Sequence, residues 1–385
     1  MNIGSNIAIL SITANGRKLA CKIKNLLDDG DIYFINNKKD ENTSLIKENI
    51  IKSSEDGTEL YTVKKRLKLF VEEIFDKYEY IVFIMATGIV VRTIAPLVTS
   101  KFSDPAILVT DEKGTNIISL LSGHMGGANE MTLRISELLN SNPVITTATD
   151  TNKKSSLDMI AKKLNAHIDN FRDNVLLINS MLVNGDSVGL YLDGEYNNID
   201  TRGFTLLDNS KSINKCLYDE EKLNKINSKT IVVISNKEYL EVDNSFKNNY
   251  KIIRVIPKNI VIGIGCRRDT DSSLLQESLN DFIHKNNIDK KSIKEIGSIE
   301  VKKDEKAIID LSEALEVPFK VLSKEDISKV DNLFEKSEWV KKSVGVYSVA
   351  EPVAHILSDG NLIIEKNKYK GITFSAGRLK IWYML

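Results

Sequence analysis

The chain has 385 residues, enough for two or three domains. Hydrophobic residues make up 42% and charged residues 28%, the balance of a globular protein able to bury sizeable cores. Its 53 basic and 53 acidic residues cancel, which argues against a dedicated nucleic-acid binder but leaves room for a local basic pocket that takes a small anion.

In chain order, Ile7–Ile12 is apolar and β-branched and reads as a strand, followed by a turn at Asn15-Gly16. Lys18–Leu27 carries Leu19, Ile23, Leu26 and Leu27 at helical spacing. Ile32–Ile35 reads as a second strand. Val63–Phe75 reads as a helix, through Leu67, Val71, Ile74 and Phe75. Tyr80–Met85 is a short buried strand ending at Ala86-Thr87-Gly88, and Ile89–Leu97 a helix. Ala106–Thr110 and Asn116–Leu121 are strands joined by the turn Asp111–Gly114. Ala128–Leu139 is a helix and Val144–Thr147 a strand. Strands alternating with helices predict a parallel or mixed sheet covered on both faces.

The rhythm changes after Asp150. Leu157–Leu164 reads as a helix, and Val175–Met181 with Ser187–Leu192 as a strand pair around Asn184-Gly185-Asp186. Ile231–Ser235 is a further strand after a polar stretch. Near Pro257 a third unit begins. Its strand Asn259–Ile264 leads into a turn at Gly265-Cys266-Arg267-Arg268, and the helix Ser272–His284 follows. Ile296–Ile299 is a strand, Lys303–Leu315 a helix, and the rhythm recurs to Ile372–Ser375. The expected architecture is an amino-terminal α/β domain (1–150), a smaller α+β middle domain (151–255) and a carboxy-terminal α/β domain (256–385).

Cys21, Cys216 and Cys266 are widely spaced with no CxxC, so neither a disulfide framework nor a zinc site is expected. The start reads Met-Asn-Ile-Gly-Ser-Asn before a strand, and no run of about 18 apolar residues occurs. The expectation is a cytoplasmic protein without signal peptide or membrane span. No pattern encodes an oligomeric state; a homodimer is one option.

Four segments carry candidate chemistry. In Ser122–Glu130, three glycines and His124 lie between a strand and a helix, where backbone N–H groups suit an anion or an oxyanion. His124 is a candidate general base, with Glu130 to orient it or a water. The alternative is a plain tight turn with a capped helix. Thr87-Gly88-Ile89-Val90-Val91-Arg92 is a second strand-to-helix junction, where the glycine turn and Arg92 would meet a carboxylate unless they are a structural turn and a solvated arginine. Ser103-Asp104-Pro105 and Thr146-Thr147-Ala148-Thr149-Asp150 lie at other strand ends, where turn or capping chemistry also accounts for them. The third segment, Gly263-Ile264-Gly265-Cys266-Arg267-Arg268, begins like a dinucleotide fingerprint but has Arg268 where the third glycine belongs. Its two arginines suit a polycarboxylate better, and Cys266 reads as an inert thiol. In the fourth, Glu351 precedes Pro352 at a helix start, with His355 one turn on; plain helix-dipole complementation is the alternative.

Together these stretches resemble the cobalt-precorrin-5A hydrolase family. The likeness is carried by Ala86–Leu97, Asp104-Pro105-Ala106, Leu120–Glu130 and Pro143–Asp150, then by Gly263–Arg268 and Glu351-Pro352. The family often has Cys-Glu-Pro-Ala-Ala at the last of these, where this chain has Ala350 before Glu351 and His355 interrupting the small residues. The resemblance implies an enzyme of cobalamin biosynthesis. Water opens the ring-A δ-lactone of cobalt-precorrin-5A, and the bridging two-carbon unit leaves as acetaldehyde, giving cobalt-precorrin-5B. On this reading His124, aided by Glu130, activates water, the N–H groups of Gly126 and Gly127 hold the oxyanion, and Glu351 is a further catalytic candidate. Thr87, Gly88, Arg92, Ser122, Gly123, Asn129, Thr147, Asp150, Gly265, Arg267 and Arg268 line the substrate, the arginines pairing with its acetate and propionate groups. Cobalt enters within the tetrapyrrole, with no protein-held cofactor or metal; neither nucleic acid nor membrane is a partner. Two other readings stay open: a non-catalytic corrinoid carrier of the same pathway, and a nucleotide-dependent oxidoreductase built on Gly263–Gly265.

Overall fold

The computed structural model describes residues 5–36, 50–55, 57–100, 103–194, 196, 199–207, 226–240 and 249–380. Cys216, and much of the polar stretch before Lys229, lie outside the described residues. Two compact units divide the chain, residues 1–153 and 154–385.

The first unit is built on an eight-stranded sheet. Its strands are β1 (Ile7–Ser11), β2 (Asp31–Ile35), β3 (Ile50–Glu55), β4 (Thr58–Val63), β5 (Tyr80–Ile84), β6 (Ala106–Thr110), β7 (Asn116–Leu121) and β8 (Asn142–Val144). The order is β3-β4-β2-β1-β5-β6-β7-β8. β1, β5 and β6 pair in parallel, and β1 and β6 are buried along their whole length. Continuous β-branched and leucine runs are what strands covered on both faces require. The helices Leu67–Ile74 and Thr87–Ile94 pack one core, and Ala14–Leu27 and Ala128–Leu139 the other.

Strand direction decides where the site lies. β7 runs antiparallel to β6, and β8 runs parallel to β7. The carboxyl ends of β7 and β8 therefore emerge at the amino edge of β5 and β6. The β6–β7 pairing also slips: Leu108 faces Ser119 but Ile107 faces Leu121, so Leu120 is an extra residue in a bulge.

Two boundaries differ from the sequence reading. Asn15-Gly16 is not a turn but the first turn of the helix Ala14–Leu27, because the Thr13 hydroxyl accepts the Gly16 N–H at 3.0 Å and caps it. Val63 closes β4, and the following helix begins only at Leu67.

The second unit holds two five-stranded sheets. One contains β9 (Ala166–Ile168), β10 (Val188–Leu192), β11 (Phe204–Leu206), β12 (Thr230–Ile234) and β13 (Lys251–Pro257), in the order β11-β10-β12-β13-β9, with β9 antiparallel. Val175–Met181 is not a strand here but the middle of a helix, Phe171–Asn184. Val175, Ile178 and Leu182 are buried at three- and four-residue spacing, while Leu176 is 70% exposed. That is a helical stripe hidden inside an apolar run. Gly185, at φ +85°, ends it by returning N–H groups to the last turn.

The other sheet contains β14 (Ile260–Cys266), β15 (Ile293–Ile299), β16 (Phe319–Leu322), β17 (Leu362–Lys368) and β18 (Ile372–Arg378), in the order β16-β15-β14-β18-β17. β14, β15 and β16 are parallel, and β18 is antiparallel to β14. The helix Ala350–Leu357 lies directly on β14. A Cβ on Gly263 would run into the Ala350 carbonyl and the Ala354 N–H, so only glycine permits this approach. Gly265 and Cys266 are not a turn; they continue β14, opposite Thr373 and Ile372. The two sheets are joined by polar contacts: Asn236 donates to Pro257 O and Asn259 Oδ1 at 2.8 Å, Arg254 pairs with Asp289 at 2.8 Å, and Lys291 with Asp169 at 2.6 Å.

Candidate active site

The loop Ser122–Gly127 leaves β7 and turns into the helix Ala128–Leu139. Its backbone is held in shape by itself. Gly127 N–H donates to His124 O at 3.0 Å, Ala128 N–H to Ser122 O at 3.2 Å, and Asn129 N–H to Gly123 O at 3.0 Å. Two glycines are dictated by this geometry. Gly127 sits at φ +86°, and a Cβ on Gly126 would come within 2.7 Å of Ser122 O. Ser122 itself is held at φ +57°, a costly conformation for a non-glycine residue that marks functional or tightly constrained loops. Its hydroxyl donates to Asp104 O at 3.1 Å, and the buried Asp104 carboxylate in turn accepts the Thr99 and Ser100 N–H groups at 3.0 Å.

Within this frame a polar chain runs from the sheet to the imidazole. Ser119 Oγ donates to Asn129 Oδ1 at 2.6 Å. Asn129, 7% exposed, donates from Nδ2 to Thr147 Oγ1 and to Asp150 Oδ2, each at 2.9 Å. His124 Nε2 lies 3.0 Å from the same Asp150 oxygen and 2.8 Å from Thr149 Oγ1. An ionised carboxylate only accepts, so the bond to Asp150 places a proton on Nε2. In the neutral ring the basic lone pair is then on Nδ1. The His124 side chain is 18% exposed and that of Asp150 39%. This is the arrangement of a base with an orienting carboxylate, the carboxylate being steered by a buried amide.

The structure gives several of the expected residues other neighbours than the sequence suggested. Asp150 and Thr149 meet the His124 ring, whereas Glu130 is exposed in the first turn of the helix and acts on Tyr80, whose hydroxyl burial and the nearby Glu130 charge push up in pKa. Gly127 cannot serve an oxyanion, because the left-handed turn closes its N–H onto the His124 carbonyl. Among the described residues the Gly126 N–H has no hydrogen-bond partner. Ser122, Gly123, Asn129, Thr147 and Asp150 gather around His124.

Thr87, Gly88 and Arg92 do not join them. They follow the carboxyl end of β5, while the His124 loop sits at its amino end, against Tyr80. A five-residue strand at ~3.3 Å per residue separates the two edges by roughly 16 Å. Arg92 folds back on its own helix, donating to Gly88 O at 3.0 Å. Thr149 lies in the Thr146–Asp150 segment without being singled out there by the sequence, and Ser119 lies outside every candidate segment. The signal for Ser119 is a lone hydroxyl within the otherwise apolar Ile117–Leu121.

Gly265, Arg267, Arg268 and Glu351 belong to the second unit. Arg268 is tied to Asp304 at 2.9 Å, whereas Arg267 is exposed and has no carboxylate partner among the described residues. Glu351 is 5% exposed. It accepts from Lys366 N–H at 3.3 Å and Ser348 Oγ at 3.5 Å, with Lys366 Nζ 3.7 Å away. Lys366 is invisible to sequence reasoning as its counter-ion, since it arrives from β17. Burial raises the pKa of the Cys266 thiol, as expected for an unreactive cysteine. Gly263 and Gly265 lie inside a strand covered by a helix, so they form no phosphate loop and the dinucleotide reading loses its basis. Among the described residues no group of three His, Cys, Asp or Glu side chains could hold a metal ion, and no helix is long and apolar enough to cross a membrane.

Comparison with known proteins relates the chain to a pathway. Residues 69–150 match the family described as Cobalamin synthesis G N-terminal, 155–245 the Cobalamin biosynthesis central region, and 260–377 the Cobalamin synthesis G C-terminus. Three successive matches over an α/β fold define a protein of cobalamin biosynthesis. A cobalt-precorrin-5A hydrolase from Salmonella typhimurium is 39% identical over 307 residues, 79% of this chain and 83% of that protein. Another from Priestia megaterium is 26% identical over 371 residues, 96% of this chain and 93% of that protein. A crystal structure of a cobalamin biosynthesis protein G homolog from Sulfolobus solfataricus is 24% identical over 97% of each chain, with a TM-score of 0.38. The chain belongs to the cobalt-precorrin-5A hydrolase family.

Proposed function

We propose that this enzyme opens the ring-A δ-lactone of cobalt-precorrin-5A and that the product is cobalt-precorrin-5B, formed with release of acetaldehyde. The observation that carries the reading is the His124–Asp150 pair, held by Asn129 at the mouth of a strained glycine loop, in a chain of this family. His124 Nδ1 takes a proton from water as the oxygen adds to the lactone carbonyl. Asp150 stabilises the imidazolium so formed, and the Gly126 N–H, without a partner among the described residues, holds the oxyanion. The acyl–oxygen bond then breaks, leaving a carboxylate on ring A and a hydroxyl on the two-carbon bridge. Loss of that hydroxyl proton forms the carbonyl of acetaldehyde. The carbon–carbon bond to the macrocycle breaks, and its electron pair stays on the macrocycle until protonated. No oxidant or reductant enters. Cobalt is part of the substrate, and the protein supplies position and proton management.

The test is acetaldehyde release from cobalt-precorrin-5A generated in situ without oxygen, comparing the wild-type and His124→Ala chains. A loss of roughly 100-fold or more in the variant is expected for removal of a general base. Equal release from both would move the base to another residue. No release above the enzyme-free control would leave a corrinoid carrier as the better reading.

A further inference from the structure

We infer that the second unit carries its own binding site for a flat, multiply carboxylated macrocycle, at the carboxyl edge of β14 and β15; this rests on the reading of the substrate as a tetrapyrrole. A cavity of about 740 Å³ opens there, lined by Gly265 and Arg267 from the end of β14 and by Ser298 and Ile299 from the end of β15. β14 is where the chain's course divides. β15 and β16 follow on one side, and the chain returns as β18 on the other. Ligands of open α/β sheets bind at that point.

The charge of the lining departs from that of the chain. A protein with as many acidic as basic residues presents six cations here (Arg267, Arg268, Lys302, Lys336, Lys366 and Lys368) and one carboxylate, Glu335. Most are already spoken for. Lys302 pairs with buried Glu305 at 2.9 Å, Arg268 with Asp304 at 2.9 Å, and Lys366 with Glu335 at 2.5 Å; Lys368 is 3.7 Å from Glu335. Arg267 and Lys336 have no carboxylate partner among the described residues. Arg267 lies along Gly371, which allows its close approach, and Lys336 stands 5.1 Å over the Tyr347 ring. Both are exposed. They are the cations available to carboxylates from outside.

The apolar part is equally specific. The helix Glu338–Val344 buries none of its residues, and its Trp339 is 66% exposed while lining the cavity with Val340 and Val344. An indole kept in water at the rim of a cationic cavity suits the face of a conjugated ring, with guanidinium and ammonium groups at the carboxylate-bearing edge. A small dicarboxylate would use the two cations but not the indole, and a neutral corrin the indole but not the cations.

Uroporphyrin, a stable planar tetrapyrrole with eight carboxylates, tests this on the full chain by fluorescence titration. Dicyanocobinamide, of similar size with amides in place of carboxylates, is the comparison. Wild type should bind uroporphyrin at least tenfold tighter than cobinamide, with affinity falling as salt is raised. Arg267→Ala, Lys336→Ala and Trp339→Ala should each weaken uroporphyrin roughly tenfold. All three side chains are exposed, and unchanged melting temperatures would show the variants folded. The inference is overturned if wild type does not bind uroporphyrin, if the three variants bind as wild type, or if cobinamide binds equally well. Acetaldehyde release by the His124→Ala chain is scored separately. Weakened binding in the three variants with full release from His124→Ala would sink the proposed general base and keep this site. Unchanged binding in the three variants with release lost in His124→Ala would do the reverse.

Discussion

Asp150→Asn is the sharpest probe of the His124 site. Both His124 Nε2 and Asn129 Nδ2 bond the same carboxylate oxygen, Oδ2. An asparagine with its carbonyl oxygen in that place keeps both hydrogen bonds and loses only the charge. A charge-assisted bond contributes about 1.5–3 kcal/mol, against about 1 kcal/mol for a neutral one. With Asp150 39% exposed, the difference belongs at the low end, about 0.5–1 kcal/mol. At about 1.36 kcal/mol per decade that is a loss of roughly 2–5-fold. The charge matters only once the imidazolium forms, so kcat should fall and KM should hold. Asp150→Ala removes the anchor as well and should cost roughly 100-fold or more. Acetaldehyde release at saturating substrate gives kcat directly. Activity of Asp150→Asn equal to that of wild type, alongside an inactive His124→Ala, would refute the claim that this carboxylate assists the base.

Glu130→Gln should leave acetaldehyde release within about threefold of wild type, because Glu130 is exposed and Asp150 meets the ring; a loss as large as that of His124→Ala would restore it as the partner. Gly263→Ala forces a methyl into the backbone of Ala350–Ala354, which cannot rotate away. It should cost about 1–3 kcal/mol, a fall in melting temperature of roughly 3–10 °C by calorimetry. Asp169 is held at about 2 by hydrogen bonds from Lys291 and then His167, below its ordinary 3.8. A lowered carboxylate contributes stability above pH 3.8 that is lost as pH falls towards 2. Asp169→Asn should therefore flatten the acid limb of stability between those values, and an unchanged limb would show that the pair contributes nothing. Burial raises the Cys266 thiol, so iodoacetamide at pH 8 should label it more slowly in the folded chain than in urea, as read by mass spectrometry.

The loop Ser122–Asn129 was legible because glycines and polar residues interrupt an apolar strand just before a helical pattern, and the turn Asp111–Gly114 announced the β6–β7 hairpin. What composition could not show was the consequence of that reversal. Arg92 and His124 each follow a strand, and each looks like a carboxyl-end residue in isolation. Only the pairing puts them at opposite edges of one sheet. Phe171–Asn184 misled because its apolar run holds both a buried stripe and an exposed Leu176, and only packing separates them. Gly263 and Gly265 imitate a nucleotide turn for a related reason. Glycine permits close approach to a helix backbone as readily as to a phosphate, and the sequence does not name the neighbour. Glu351 with Lys366 shows the general limit: a buried charge is visible in sequence only as a charge, and its counter-ion comes from another element.

The extra residue in β7 gives the amino-terminal site an unusual sensitivity to chain length. Because Leu120 is bulged, Ser119 reaches Asn129 from one step of the pleat while Ser122 reaches Asp104 three positions later. Remove that leucine and the strand regains even phasing, but its final residues exchange faces. One serine or the other then loses its anchor, and the loop bearing His124 turns out of phase with the helix that steers it. A single-residue deletion at this spot should be far less forgiving than most exchanges of side chain around it. Among relatives, a gap here would signal a His124 loop rebuilt rather than merely shortened.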